Sequence, residues 1–243
     1  MRIWVTRPEP DATVLRARLM AQGHDVVIEP LMWIDFEDVD PVELDDAQAL
    51  IATSRNGVRA AAQSPDAEFA KGLPLYAVGP GTAATAKGLG FTDVIEGPAT
   101  ASGLATLISD RVEVNGGALV HLAGAALAHD MAGDLRRLGY VVLQPTVYTA
   151  RLAKRLSGGF LPKLVMGEID AVILLSARTA QTYVELIQAH QLVRSSRKLE
   201  YYCLSQAVAD RLAPLQLTVI KVPNRPNIQE ILALTDQSAA QSR

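Results

Sequence analysis

Short apolar runs alternate with mixed, helix-like stretches along the whole chain, and glycine, proline or serine marks most of the changes. The run Leu75–Val78 ends at Gly79-Pro80-Gly81, and Thr82 then opens an alanine-rich helix that closes at Gly88 and Gly90. Strand, tight turn, polar N-cap, helix and glycine stop make the first half of a βα unit. The same pattern predicts strands at Arg2–Thr6, Asp25–Glu29, Ala49–Thr53, Val94–Glu96, Ala118–Leu122, Val141–Gln144, Ala171–Leu175, Tyr201–Leu204 and Thr218–Val222. It predicts helices at Asp11–Gln22, from Ser54 through Ala62, and at Ser102–Asp110, Ala128–Leu138, Ala180–Ala189, Ala207–Leu215 and Asn227–Leu234. Leu15 and Leu19 share one face of the first of these, and Gly23 stops it. Thr235–Arg243 is small and polar, and is expected to be a frayed tail.

The pattern occurs twice. GHDVVIEPLMW (Gly23–Trp33) aligns with GYVVLQPTVY (Gly139–Tyr148) with one deletion, matching Pro30 to Pro145 and Trp33 to Tyr148. ALIATSRNG (Ala49–Gly57) aligns with AVILLSART (Ala171–Thr179), matching Ser54 to Ser176. YAVGPGTA (Tyr76–Ala83) aligns with YCLSQAVA (Tyr202–Ala209). Two similar α/β units with parallel strands are the expected result. Leu31–Phe36, the acidic stretch Glu37–Asp46 and the Lys-, Arg- and Gly-rich stretch Arg151–Glu168 fall outside the regular pattern.

Composition narrows the classes. A chain of 243 residues suits one large domain or two of about 100–130 residues. A net charge of −3 argues against a nucleic-acid binder working through bulk positive charge. Cys203, the one cysteine, sits in an apolar run, which predicts a reduced cytosol and no disulfide. Arg2–Thr6 runs straight into a strand with no signal segment, and no apolar run approaches the roughly 18 residues of a membrane span. The expectation is a soluble, cytoplasmic α/β protein without membrane or nucleic-acid partners. His24, His121, His129 and His190 have no metal-ligand spacing with each other or with Cys203.

The strand-end turns hold the candidate chemistry. Gly79-Pro80-Gly81 is neither GxGxxG nor a phosphate loop, since no Lys-Ser/Thr follows. Its amides would still face a helix N-terminus, where carboxylate or phosphate is favoured. Ser54 and Ser176 end strands and open helices, as caps that also have a proton to donate. Arg7, Arg55 and Arg178 follow strand ends, where open α/β sheets place ligands, although any one of them is by default a solvated surface cation. Asn56 and Gly57 serve the turn.

VTRP (Val5–Pro8), ATSRNGV (Ala52–Val58), AVGPGTA (Ala77–Ala83) and TVY (Thr146–Tyr148), in this order and spanning essentially the whole chain, resemble the uroporphyrinogen-III synthase family. The resemblance implies an α/β fold of two flavodoxin-like parallel-sheet domains joined by a two-segment extended hinge. Residues 1–36 and 151–243 would form a split domain and 37–150 an inserted one, with Leu31–Phe36 and Thr146–Ala150 as linkers. It implies a lyase that cyclises hydroxymethylbilane to uroporphyrinogen III, with loss of water and inversion of ring D. No metal or other cofactor is implied. A monomer is expected, because each repeat already has its pseudo-partner in the chain. Tyr148 would be the acid for the departing hydroxyl; taken from the residues alone it is a strand tyrosine half-covering an inter-domain seam. Thr82 with the Gly79 and Gly81 amides would hold a substrate carboxylate, a role compatible with an ordinary N-cap. Ser54, Ser176, Arg7 and Gly124 complete the expected substrate-binding set.

Two departures from the family pattern stand out. LSQAVA (Leu204–Ala209) has Ser205 for glycine and Ala207-Val208 for the threonines, and HLAGA (His121–Ala125) has Ala123 where Arg often precedes Gly124. The first of these, set against Gly79-Pro80-Gly81-Thr82, assigns the side-chain contacts to the inserted domain, leaving mainly backbone N–H groups and the Ser176 hydroxyl to the split one. Two other classes share part of the pattern. A non-catalytic two-lobed small-molecule-binding protein shares the architecture but has no use for a catalytic tyrosine. A receiver-like module needs an acidic pair and a lysine at strand ends, a set this chain lacks.

Overall fold

The computed structural model describes residues 1–37 and 44–241, the last four by backbone alone; positions 38–43 of the acidic stretch lie outside it. The chain divides into two compact units, Met1–Trp33 with Arg151–Arg243, and Ile34–Ala150. The strands in chain order are β1 (Arg2–Val5), β2 (Asp25–Ile28), β3 (Met32–Phe36), β4 (Ala47–Ala52), β5 (Leu75–Ala77), β6 (Val94–Glu96) and β7 (Ala118–His121). They continue with β8 (Ala123–Gly124), β9 (Val142–Leu143), β10 (Thr146–Leu152), β11 (Ala171–Leu174), β12 (Glu200–Cys203) and β13 (Ile220–Lys221).

Each unit has one five-stranded sheet. In the first the order is β13-β12-β11-β1-β2, in the second β6-β5-β4-β7-β9, and every neighbouring pair is parallel. The repeat in the sequence maps onto these sheets: β11 and β12 occupy the places of β4 and β5, and β2 the place of β9. Numbered within its own unit, the first sheet runs 2-1-3-4-5, the flavodoxin-like order, and the second 3-2-1-4-5, the other common doubly wound order. The two differ only in where the chain enters. The first unit is a circular permutation of the second.

Successive side chains of a strand leave on opposite faces. Trp4 therefore joins Phe160, Tyr183 and Tyr201 in one core, while Ile3 and Val5 join Leu15, Leu19, Ile173 and Ile231 in another. In the second unit Leu50 and Ala52 face Val58, Ala83 and Phe91, and Ile51 faces Leu104, Met131 and Leu135. Strands covered on both sides read as unbroken apolar runs, which is why the chain announces them so clearly.

A third sheet, β3-β10-β8, contains the two stretches at which the chain passes between units. The two stretches expected as extended linkers, Leu31–Phe36 and Thr146–Ala150, fall largely in the strands Met32–Phe36 and Thr146–Leu152.

Several helix boundaries differ from expectation. Thr82 does not cap its helix: Gly79 is the N-cap and Pro80 the first residue of the helix Pro80–Gly88, a position for which proline's fixed φ is suited. The helix predicted from Ala128 starts at Met131, where Asp130 accepts from the Gly133 N–H at 2.9 Å. The predicted helix Ala207–Leu215 is a single α-turn, Gln206–Ala209, followed by a 3₁₀ segment containing Pro214. Short helices at Ala67–Gly72, Leu161–Val165 and Val193–Ser196 carried no periodic signal. The expected frayed tail is corrected most plainly, because the last helix runs Ile228–Gln241. Thr235 is fully buried there, donating to Leu232 O at 2.8 Å and to Gln22 Oε1 at 3.3 Å.

Candidate functional site

In an open α/β sheet, ligands bind beyond the carboxyl ends of the strands, where the crossovers diverge. In the second unit that point lies between β4, whose crossover leads to β5, and β7, whose chain continues to β9. In the first unit the equivalent point lies between β11 and β1. Ser54, Gly79, Gly81, Thr82, Gly124 and Tyr148 all fall at the carboxyl end of the second sheet, while Arg7 and Ser176 follow β1 and β11 in the first.

Ser54 accepts from the Asn56 N–H at 3.2 Å, and Ser176 from the Thr179 N–H at 3.0 Å. Both serines are caps, and Ser176 Oγ also lies 2.7 Å from Thr179 Oγ1. At the Gly79 turn, Pro80 has no N–H, and the Thr82 and Ala83 amides donate to Gly79 O at 3.1 and 3.0 Å. Among the described residues no backbone acceptor faces the Gly79 or Gly81 N–H, so these two amides and the buried Thr82 hydroxyl are what the turn offers an anion. Arg7 Nη2 is 2.7 Å from Asp11 Oδ2, so an anion approaching this arginine shares it with a carboxylate.

Tyr148 is half-buried on β10, and among the described residues its hydroxyl makes no hydrogen bond. The other tyrosines differ. Tyr183 and Tyr201 bond each other at 2.7 Å, and Tyr201 also donates to Ser196 O at 2.8 Å. Burial pushes the Tyr201 phenol up to about 12. Tyr140 donates to Val112 O and Tyr202 to Glu200, both at 2.7 Å, while Tyr76 is buried. Among the described residues Tyr148 is the one tyrosine that combines access with an uncommitted proton.

Sequence reasoning overlooked His121, the last residue of β7. Its ring is buried, with Nε2 3.1 Å from Thr53 Oγ1 and Nδ1 3.4 Å from Gln144 Oε1. An amide oxygen only accepts, so Nδ1 carries the proton and Thr53 donates to Nε2. Burial holds the imidazole below its usual 6.5, partly offset by the Gln144 bond. The result is a neutral strut across the strand ends beside Ser54. A search limited to metal-ligand spacing could not find it; a lone histidine closing an apolar run was the available signal.

A cavity of about 430 Å³ lies elsewhere, among Met1, Met166, Asp170, Lys198 and Glu200 at the amino ends of the first unit's strands. That is the edge where such sheets do not place ligands. Cys203 is buried, and its thiol is pushed up to about 12, which removes it as a nucleophile. Among the described residues no group of three or more His, Cys, Asp or Glu is placed to hold a metal ion, and no helix is long and apolar enough to cross a membrane.

The fold and the strand-end site thus define a two-unit α/β protein whose two five-stranded sheets are parallel, with small polar groups, a half-buried phenol and a glycine turn beyond the carboxyl ends of the strands. The family model described as Uroporphyrinogen-III synthase HemD matches residues 13–233. The chain belongs to the uroporphyrinogen-III synthase family. With membership comes the activity, a cyclisation in heme biosynthesis that closes hydroxymethylbilane to uroporphyrinogen III with loss of water and inversion of ring D. Among solved structures, uroporphyrinogen-III synthetase from Helicobacter pylori is similar at 17% identity and a TM-score of 0.64, covering 100% of this chain and 99% of that one. A mutant uroporphyrinogen III synthase from Thermus thermophilus is similar at 16% identity and a TM-score of 0.55, covering all of both chains. At these identities the likeness is one of fold. No curated protein matches the chain.

Proposed function

We propose that the reaction is run from the carboxyl end of the second unit's sheet, with Tyr148 as the general acid and the enzyme acting as a hydro-lyase. The observation that carries this reading is the Tyr148 hydroxyl, accessible and without a partner among the described residues. Tyr148 gives its proton to the hydroxyl leaving ring A, and the C–O bond breaks as the pyrrole nitrogen supplies its electron pair. The products are water and an azafulvene. Ring D attacks through its substituted carbon to give a spiro intermediate, which fragments and recloses inverted. The proton released as the ring regains aromaticity balances the one Tyr148 supplied. Hydroxymethylbilane closes unaided to the uninverted isomer, so the protein contributes mainly orientation.

Thr82, with the Gly79 and Gly81 amides, would take a substrate carboxylate, and Ser54 would donate beside it. Ser176 and Arg7 would contribute from residues 1–36 and 151–243, the split domain of this reading, with 37–150 as the inserted one. The reading needs no cofactor, nucleic acid or membrane. It places a monomer in the cytoplasm, in keeping with a single buried, unreactive cysteine. The test is to supply hydroxymethylbilane and resolve the product isomers. Uroporphyrinogen III is expected; the uninverted isomer alone, at the uncatalysed rate, refutes the reading.

A further inference from the structure

The resemblance offers Gly124 as a substrate contact, but its surroundings point elsewhere. We propose that Gly124 is a positioning residue for Tyr148, an unfilled seat that fixes where the phenol hydroxyl stands. The proposal rests on Tyr148 being the acid. β8 and β10 are parallel neighbours in which Ala123 faces Thr146 and Gly124 faces Tyr148. One step along β8 therefore corresponds to two along β10, and Val147 is the extra residue of a bulge. Bulges break the alternation of a ladder and re-aim a side chain. The pairing is pinned on both sides, with the Ala123 N–H donating to Pro145 O at 3.2 Å and the Ala125 N–H to Tyr148 O at 3.0 Å.

The re-aimed ring lies over Gly124. A Cβ on that residue would stand 2.5 Å from Tyr148 Cζ, 2.7 Å from Cε2 and 2.8 Å from the hydroxyl oxygen. All three atoms belong to the far end of the ring. The space left by the missing side chain is therefore occupied by the reacting end of Tyr148 and not by its root. A methyl group there drives out the hydroxyl, while the ring, free to turn about its side-chain bonds, swings aside with little cost to the fold. Val147, fully buried beneath the same strand, anchors the backbone as this happens.

Four proteins test this: wild type, Gly124→Ala, Tyr148→Phe and the double variant, each followed by isomer-resolved turnover at saturating and limiting hydroxymethylbilane and by thermal melting. Displacing a reacting group by about an ångström costs up to roughly 100-fold, so Gly124→Ala should lower kcat by about 10- to 100-fold with KM within about twofold. Its melting temperature should stay near wild type. In the Tyr148→Phe background the same substitution should change kcat less than about twofold, because the group it displaces is gone. Additive losses, or a loss confined to KM, overturn the proposal in favour of direct contact with substrate. Wild-type turnover in Gly124→Ala, or collapse of its melting transition, overturns it as well. If Tyr148→Phe itself turns over normally, the acid assignment fails and the seat fails with it; if Tyr148→Phe is slow and Gly124→Ala is not, only the seat fails.

Discussion

At the scale of single residues, Tyr148→Phe separates chemistry from structure. Its hydroxyl bonds nothing among the described residues, so its loss should leave stability within about 0.5 kcal/mol. Turnover should fall roughly 10²- to 10⁴-fold, the usual contribution of a general acid; wild-type kinetics return Tyr148 to a packing role. His24 makes a different prediction. It is buried with neither ring nitrogen hydrogen-bonded among the described residues, and burial first, then the N-terminal ammonium, lower its pKa below 6.5, with Asp236 opposing. His121 shifts the same way. The unfolded chain therefore takes up protons before the folded one. Stability is full above pH 6.5 and drains as the pH falls below it. Melting temperatures at pH 8, 6.5 and 5 should show this loss, and His24→Leu should make it shallower. An unchanged slope in that variant rules out His24 as a contributor.

At the scale of elements, the helix starts after β5 and β12 are equivalent, and their third residues are Thr82 and Val208. Both are nearly buried, but Val208 packs into the first unit's core and has nothing to donate. Thr82→Val should weaken transition-state binding by about 1.5–3 kcal/mol, one hydrogen bond to a charged group. Val208→Thr should leave turnover nearly unchanged with a small loss of stability from a buried hydroxyl. Greater sensitivity at Val208 reverses the assignment of the binding side. These elements also show what the sequence could reveal. Strands, caps and glycine stops were legible because each is a local pattern, as with Ser54, Ser176 and the positive φ of +82° at Gly23 and +94° at Gly139. The Pro80 start is equally local, since proline at the first helical position signals the start better than the threonine two residues on. The bulge at Val147 and the buried Thr235 were not legible, since one depends on cross-strand register and the other on a residue 213 positions away. Tyr148 was visible only through the family resemblance, because nothing nearby in sequence marks its hydroxyl as unpaired.

At the scale of the whole molecule, the permutation has a consequence in time. The second unit is continuous and can complete its sheet as soon as its own residues have been synthesised. The first cannot: β1 pairs early with β2, but its other edge waits for β11. The Thr6 hydroxyl, just beyond β1, donates to Ile173 O across 167 residues. At about 5–20 residues per second, that partner leaves the ribosome roughly 8–33 s after Thr6 does. Throughout the interval Ile3, Trp4 and Val5, all completely buried at the end, lie beside an open strand edge of the kind that recruits other chains. The nascent protein is thus most vulnerable to aggregation from the emergence of β1 until β11 has been made, and it is the amino-terminal strand that a cell must shield.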